Sequence, residues 1–218
     1  MNNFNTNNYM IIKKAISTEM TQFIYEYICL RRKIATHMFE KKLIPPFSKQ
    51  FGHWQDPQVP NTYTVYGDTV MEILLLKLKP IMEKKVEQEL IEMYSYCRIY
   101  KKDAVLDRHK DRTSCEISIT LNLGGDLWPI YLGPDENVGI AETNGGVKGI
   151  TTSSNAKGLK VDLEPGDMLV YRGCILEHWR ESFQGNNCAQ VFLHYNIKNK
   201  NSEKIKYDKR EFIGVPYT

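Results

Sequence analysis

The order of apolar and polar positions divides the chain into an α-rich first part and a β-rich remainder. Tyr9-Met10-Ile11-Ile12 reads as a short strand. Ser17 or Thr18 can cap the helix that follows, in which Phe23, Ile24, Tyr27, Ile28 and Leu30 recur at helical spacing, so that one face can pack on a sheet. This helix is expected to end near Lys41 or Lys42, stopped by Ile44-Pro45-Pro46. Phe51 to Thr64 is irregular, rich in Gln, Pro and aromatic residues, and holds His53-Trp54-Gln55-Asp56. Asp68 is the expected cap of a second long helix through Val70, Ile73, Leu74 and Leu78. Pro80 should kink or divide it, and Glu83 to Glu92 continues the helical composition.

Strands then take over. Tyr94 to Tyr100 and Ser114 to Leu123 read as two of them, and Leu127 to Leu132 as the next. Leu163-Glu164-Pro165-Gly166-Asp167 is a turn that launches another, Met168 to Arg172, and Gly185-Asn186-Asn187 turns the chain into Cys188 to Tyr195. Between them, Leu132 to Lys157 has many Gly, Asn, Thr and Ser residues and few large apolar ones. It reads as a long loop, and its position between core strands suggests a mobile lid over a pocket. The lysine- and asparagine-rich stretch Asn196 to Lys209 is expected to be solvated and frayed.

A length of 218 residues suits one domain. We divide it into a mainly helical part (1–92), a β core (93–197) and a polar tail (198–218). The 42% hydrophobic and 25% charged content is that of an ordinary globular protein. A net charge of +3 is too small to argue for nucleic acid as a partner. Five cysteines without a Cys-x-x-Cys pair indicate neither a disulfide framework nor a zinc ribbon. The first residues lack the basic-then-apolar pattern of a signal peptide. Lys77 and Lys79 break the longest apolar run, Ile73 to Leu76, so no membrane span is expected. A cytoplasmic location follows as the expectation.

The informative chemistry is His109-x-Asp111, answered far downstream by His178. Period two in an extended segment puts His109 and Asp111 on one face, and one distant imidazole completes a facial set of two histidines and one carboxylate. Such a set leaves the opposite metal positions open, as non-haem Fe(II) oxygenases require. Imidazole and carboxylate also suit Mn(II), Co(II), Ni(II) and Zn(II), so iron is argued from the function rather than from the ligands.

In this order, Tyr100, the His109/Asp111 pair, the Pro165-Gly166-Asp167 turn and His178 resemble the prolyl-4-hydroxylase-like branch of the Fe(II)/2-oxoglutarate-dependent dioxygenases. The resemblance covers about Tyr94 to Tyr195. It implies an α+β fold with a double-stranded β-helix (jelly-roll) core, N-terminal helices packed on the major sheet, and Fe(II), 2-oxoglutarate and dioxygen as cofactor and cosubstrates. It also implies hydroxylation of a C–H bond in a protein or small-molecule substrate. One element departs from the pattern. The family's cation for the far carboxylate of 2-oxoglutarate lies about ten residues after the distal histidine, where this chain reads Gly185 to Gln190 without one. Arg180, two residues beyond His178 and so on its face, is the substitute; Tyr100 and Gln190 are the further expected contacts, with Arg98 and His194 nearby. The competing reading of Arg180 is a surface ion pair with Glu177 or Glu181.

Arg112 is expected to form a structural ion pair, with Glu116 as a partner, or to reach a substrate. Trp128 and Tyr131 read as core, His37 as structural, and His53 with Trp54 as a loop closing the mouth. The rivals to the enzymatic reading are a non-catalytic jelly-roll binding module and a metal oxygenase independent of 2-oxoglutarate.

Overall fold

The computed structural model describes residues 4–136 and 156–215. After a single turn, α1 (Phe4–Asn7), strand β1 (Tyr9–Ile12) leads into helix α2 (Thr18–Glu40). The Ser17 hydroxyl accepts from the Met20 N–H at 3.2 Å, satisfying one of the donors a helix start leaves open. The buried face of α2 is Thr21, Ile24, Ile28 and Ala35. Phe23 and Leu30, counted in the apolar stripe, point outward and are more than half exposed. Strand β2 (Tyr63–Tyr66) precedes helix α3 (Thr69–Val86), whose cap Asp68 accepts from the Val70 and Met71 N–H groups at 3.0 and 3.3 Å.

Helix α3 corrects two expectations. It is not divided at Pro80, which lies inside it; Leu74, Leu75, Leu78, Met82 and Val86 are buried on both sides of the proline, and that packing outweighs one lost hydrogen bond. Nor does it continue to Glu92. Glu87 takes left-handed backbone angles (φ 57°), the usual way to end a helix, and Glu83 accepts the Leu90 N–H at 3.0 Å. The next strand, β3 (Leu90–Lys101), therefore begins where the composition still reads as helix.

The remaining strands are β4 (Leu106–His109), β5 (Ile117–Gly125), β6 (Ile130–Gly133), β7 (Leu159–Val161), β8 (Met168–Tyr171), β9 (Glu177–Arg180) and β10 (Asn187–Ile197). They form a six-stranded sheet in the order β1-β8-β5-β10-β3-β2 and a four-stranded sheet in the order β4-β9-β6-β7, with antiparallel pairing throughout. Residues 137–155, which include most of the expected lid, lie outside the described residues; strands β6 and β7 on either side pair with Leu132 opposite Leu159. Trp128 precedes β6 rather than lying in it.

Alternation gives the large sheet two unlike faces. Ile117, Ile119, Leu121 and Leu123 of β5, and Ala189, Val191, Leu193 and Tyr195 of β10, join Ile24, Ile28, Leu74 and Leu78 of the helices in one apolar core. The opposite face carries Arg98, Tyr100, Ser118, Thr120, Gln190 and His194, all buried. A buried polar face is costly unless its groups are paired or hold something, and it is here that the candidate site lies.

The tail is not frayed. Strand β10 runs to Ile197, a helix α4 (Lys200–Lys204) follows with an Asn199/Ser202 capping box, and a 3-10 turn spans Lys206–Lys209. Arg210 donates to both carboxylate oxygens of Glu72 at 3.1 Å, and Asp208 receives Arg112 at 2.7 and 2.5 Å. The tail's composition reads as solvated, yet its key charges have counter-charges elsewhere in the chain. Burial favours the neutral Asp208 carboxyl, but the Arg112 guanidinium outweighs it and holds the group below the usual carboxylate range. Because the folded pKa is depressed, the pair's stabilisation is present above the unfolded carboxylate pKa and is lost as pH falls through the folded one. Asp208→Asn should cost roughly 2 kcal/mol at pH 7 in a denaturant melt, less than a fully buried pair because Arg112 stays partly in water, and the difference from the parent should shrink in acid. A difference that grows below pH 4 would contradict this account.

Candidate metal centre

His109 ends β4 and stands directly opposite His178 of β9 in the small sheet. Asp111 lies two residues on, anchored by its own N–H donating to the Gly173 carbonyl at 2.8 Å. His178 Nε2 is 3.4 Å and His109 Nε2 3.7 Å from Asp111 Oδ1, and one ligand atom of each residue lies within 4.8 Å of the others. The imidazole Nδ1 atoms are spoken for: His109 Nδ1 meets the Asp107 carbonyl at 2.8 Å and His178 Nδ1 the Leu176 carbonyl at 3.0 Å. A carbonyl can only accept, so both histidines carry a proton on Nδ1 and aim Nε2 at Asp111, which leaves Nε2 as the atom a metal would take.

The surroundings tune the three groups. Burial, then His178, brings His109 down to about 4, so its Nε2 is unprotonated at neutral pH. Burial opposes ionisation of Asp111, but His178 and His109 beside it outweigh that and keep it well below the usual carboxylate range. Burial would lower His178, yet Asp111 raises it above an ordinary histidine. On the far side of the carboxylate, the Ser118 hydroxyl donates to Asp111 Oδ2 at 2.8 Å and faces His194 Nδ1 at 3.0 Å. Tyr171 presents its ring to His178 with centroids 4.8 Å apart. A second cluster, Asp111, Cys115 and His194, is a poorer ligand set: burial pushes the Cys115 thiol up, so it is protonated, and His194 is engaged by Ser118.

The three candidate ligands line a cavity of about 240 Å³ together with Asp56, Gln58, Tyr96, Arg98, Tyr100 and His194. Arg98 belongs to this wall, but its charge is already answered by Asp56 at 2.6 Å. Arg180 differs. It is 1% exposed and, among the described residues, has no carboxylate partner; Glu177 pairs instead with Arg108 at 3.3 Å. Its Nη1 donates to the Trp128 carbonyl and its guanidinium lies 5.0 Å from the Trp128 ring. Among the described residues, its Nε and Nη2 are buried without a hydrogen-bond partner, as is Gln190 Oε1. Two free N–H donors on one planar fork are the complement of a carboxylate. Tyr100, edge-on to Trp128 at 4.7 Å, borders this group from β3.

Other expectations fare unevenly. Arg112 does form an ion pair, but with Asp208; Glu116 accepts the Ile197 N–H instead. Trp128 is core, and Tyr131 stacks on Trp179 at 5.6 Å. His53 bridges to Thr64, and Trp54 packs against Phe39 and Tyr63; it is Asp56 and Gln58, from the same irregular stretch, that reach the cavity. Ser118, Gly173 and Gln58 were not singled out from the sequence, where nothing distinguishes them from other small or amide residues.

No protein-family model and no curated protein matches the chain. Solved structures do. A Pseudomonas putida prolyl-4-hydroxylase superposes with a TM-score of 0.58 at 12% identity, covering 90% of this chain and 96% of that one. HygX from Streptomyces hygroscopicus, with nickel, 2-oxoglutarate and hygromycin B bound, gives 0.55 at 14%, covering 89% and 85%. The non-haem α-ketoglutarate-dependent epimerase SnoN from nogalamycin biosynthesis gives 0.61 at 10%, covering 88% and 79%. At such identities the likeness establishes a shared fold.

Proposed function

We propose that this chain is a non-haem Fe(II)/2-oxoglutarate-dependent oxygenase with a double-stranded β-helix core, holding the metal by His109, Asp111 and His178. One observation carries the reading: an open facial set of two imidazoles and a carboxylate lines the cavity, and two residues beyond His178 on the same strand, outside that lining, a buried guanidinium has two unpartnered donor atoms and no counter-charge among the described residues. The first feature suits a metal with free positions; the second suits the far carboxylate of a dicarboxylic keto acid. The core assignment is supported by two antiparallel sheets with a polar face between them and by the fold shared with the prolyl-4-hydroxylase.

When bound, ferrous iron with 2-oxoglutarate and dioxygen supplies oxidation of a substrate C–H bond, with release of succinate and carbon dioxide. The residues have separable tasks. His109 and His178 would offer Nε2 to the metal, His178 giving up the proton that Asp111 favours on it, Asp111 would bring the charge, and Ser118 with His194 fixes the turn of that carboxylate. Arg180 and Gln190, which lie beyond the residues lining the cavity, would meet the far carboxylate of the keto acid, with Tyr100 on the cavity side. Apolar Leu106, Ile130 and Phe192 in the cavity wall keep water away. Hydroxylation is the reaction we assign. The epimerase SnoN has the same fold, so the substrate and its placement decide the outcome, not the fold.

The test is anaerobic addition of 2-oxoglutarate to the Fe(II)-loaded protein. A weak visible charge-transfer band is expected, followed by succinate on admission of air. If iron binds but saturating 2-oxoglutarate produces no band, the oxygenase is independent of that cosubstrate; if iron does not bind, the chain is a binding module.

A further inference from the structure

The irregular stretch before β2 sends one side chain onto the metal-facing atom of a candidate ligand. The Gln58 amide nitrogen lies 3.0 Å from His109 Nε2. Since the His109 proton is on Nδ1, Gln58 donates to the lone pair that a metal would take. The other end of the same amide is held: Gln58 Oε1 accepts from Arg98 Nη2 at 3.3 Å. Arg98 is fixed in turn by Asp56 at 2.6 Å, and the Tyr96 hydroxyl donates to that same carboxylate. Asp56 closes the arrangement by accepting the Gln58 N–H at 2.8 Å. Four residues thus form a strap over the cavity, tied to β3 by a buried guanidinium and ending on the metal-binding nitrogen.

We propose that Gln58 is a positioning residue for the non-protein ligands of the metal, and that the strap exchanges partners when the metal binds. The inference rests on the metal-site reading above. A metal on His109 Nε2 removes the acceptor of the Gln58 N–H. Buried donors do not stay unpaired at low cost. Arg98 keeps the amide oxygen where it is, so the N–H can turn only within the cavity, where the acceptors a loaded centre adds are the oxygens of its water or keto-acid ligand. Gln58 therefore opposes metal in the ligand-free protein and supports the keto acid in the loaded one. Asp56 and Arg98 act through Gln58 by fixing its distance from the centre.

Opposite signs make this testable. In Gln58→Leu, Mn(II) or Co(II) should bind the otherwise ligand-free protein roughly two- to tenfold more tightly, the worth of one hydrogen bond no longer broken. Binding of 2-oxoglutarate to the metal-loaded variant, read by calorimetry, should weaken by a similar factor. Gln58→Glu, whose carboxylate offers no N–H, should share the loss of 2-oxoglutarate affinity. Asp56→Asn, which loosens the strap while keeping Gln58, should show both effects in smaller measure. A strap that merely packs over the site would lower both affinities in Gln58→Leu, and that result, or an unchanged metal affinity, overturns the proposal. Absence of 2-oxoglutarate binding in the parent protein would instead count against the cosubstrate assignment, leaving the metal arm to judge Gln58.

Discussion

Arg180→Ala is expected to weaken 2-oxoglutarate binding to the metal-loaded protein by roughly a hundredfold or more, since removing one partner of a buried charge pair costs about 3–5 kcal/mol. Arg180→Lys should fall between it and the parent, because an ammonium carries the charge but not the planar fork. Metal affinity should change little, as Arg180 reaches none of the three ligands by a hydrogen bond or ion pair in the structure. A second readout separates an anchor from a structural arginine. Every other buried arginine described, Arg98, Arg112 partly and Arg210, has an acid in contact, whereas Arg180 has no acid and two donor nitrogens without acceptors among the described residues. Such a group burdens the ligand-free fold, so Arg180→Met should melt no lower than the parent without ligand, yet lose most of the stabilisation that 2-oxoglutarate confers. A variant that keeps its 2-oxoglutarate affinity eliminates Arg180 and directs attention to Tyr100, Arg98 and Gln190.

Gly173→Ala should nearly abolish metal binding although Gly173 offers no ligand atom. A methyl group there would overlap Asp111 Oδ2 and Ser118 Oγ and lie 2.7 Å from the Cys115 carbonyl oxygen. Ser118 is what holds the Asp111 carboxylate, and the Gly173 carbonyl anchors the Asp111 backbone, so the carboxylate has to move and its support moves with it. The affinity for Fe(II) or Co(II) should drop towards that of Asp111→Ala, which removes one of three ligands outright, by two orders of magnitude or more. Overpacking of this kind costs about 1–3 kcal/mol of stability, so the far-UV circular dichroism should still be that of a folded protein. Metal affinity within threefold of the parent would show that the carboxylate is not held where the structure places it.

Much of the site was legible because its rules are local. His109 and Asp111 share a face by period two, and Arg180 shares one with His178 for the same reason; both hold whatever the rest of the chain does. Ser17 and Asp68 cap their helices through residues two and three positions away. The errors came where a local signal met a packing demand. Pro80 did not break α3 because one face of the helix is buried on both sides of the proline, and the helical composition of Leu90 to Glu92 yielded to pairing with β10.

By itself, then, the sequence determined the candidate His109/Asp111 pair, the helix starts, the turns and the missing cation on the last strand, since each depends on residues a few positions apart. Tertiary structure alone decided which charges are answered. Arg112 found Asp208 at 96 positions' distance and Arg210 found Glu72 at 138, tying an apparently solvated tail to the body of the chain, while Arg180 found no acid among the described residues. It also decided that Gln58 should rest on His109. Coulomb attraction and hydrogen bonding act through space over a few ångströms, and only the packed chain says which distant residues come that close.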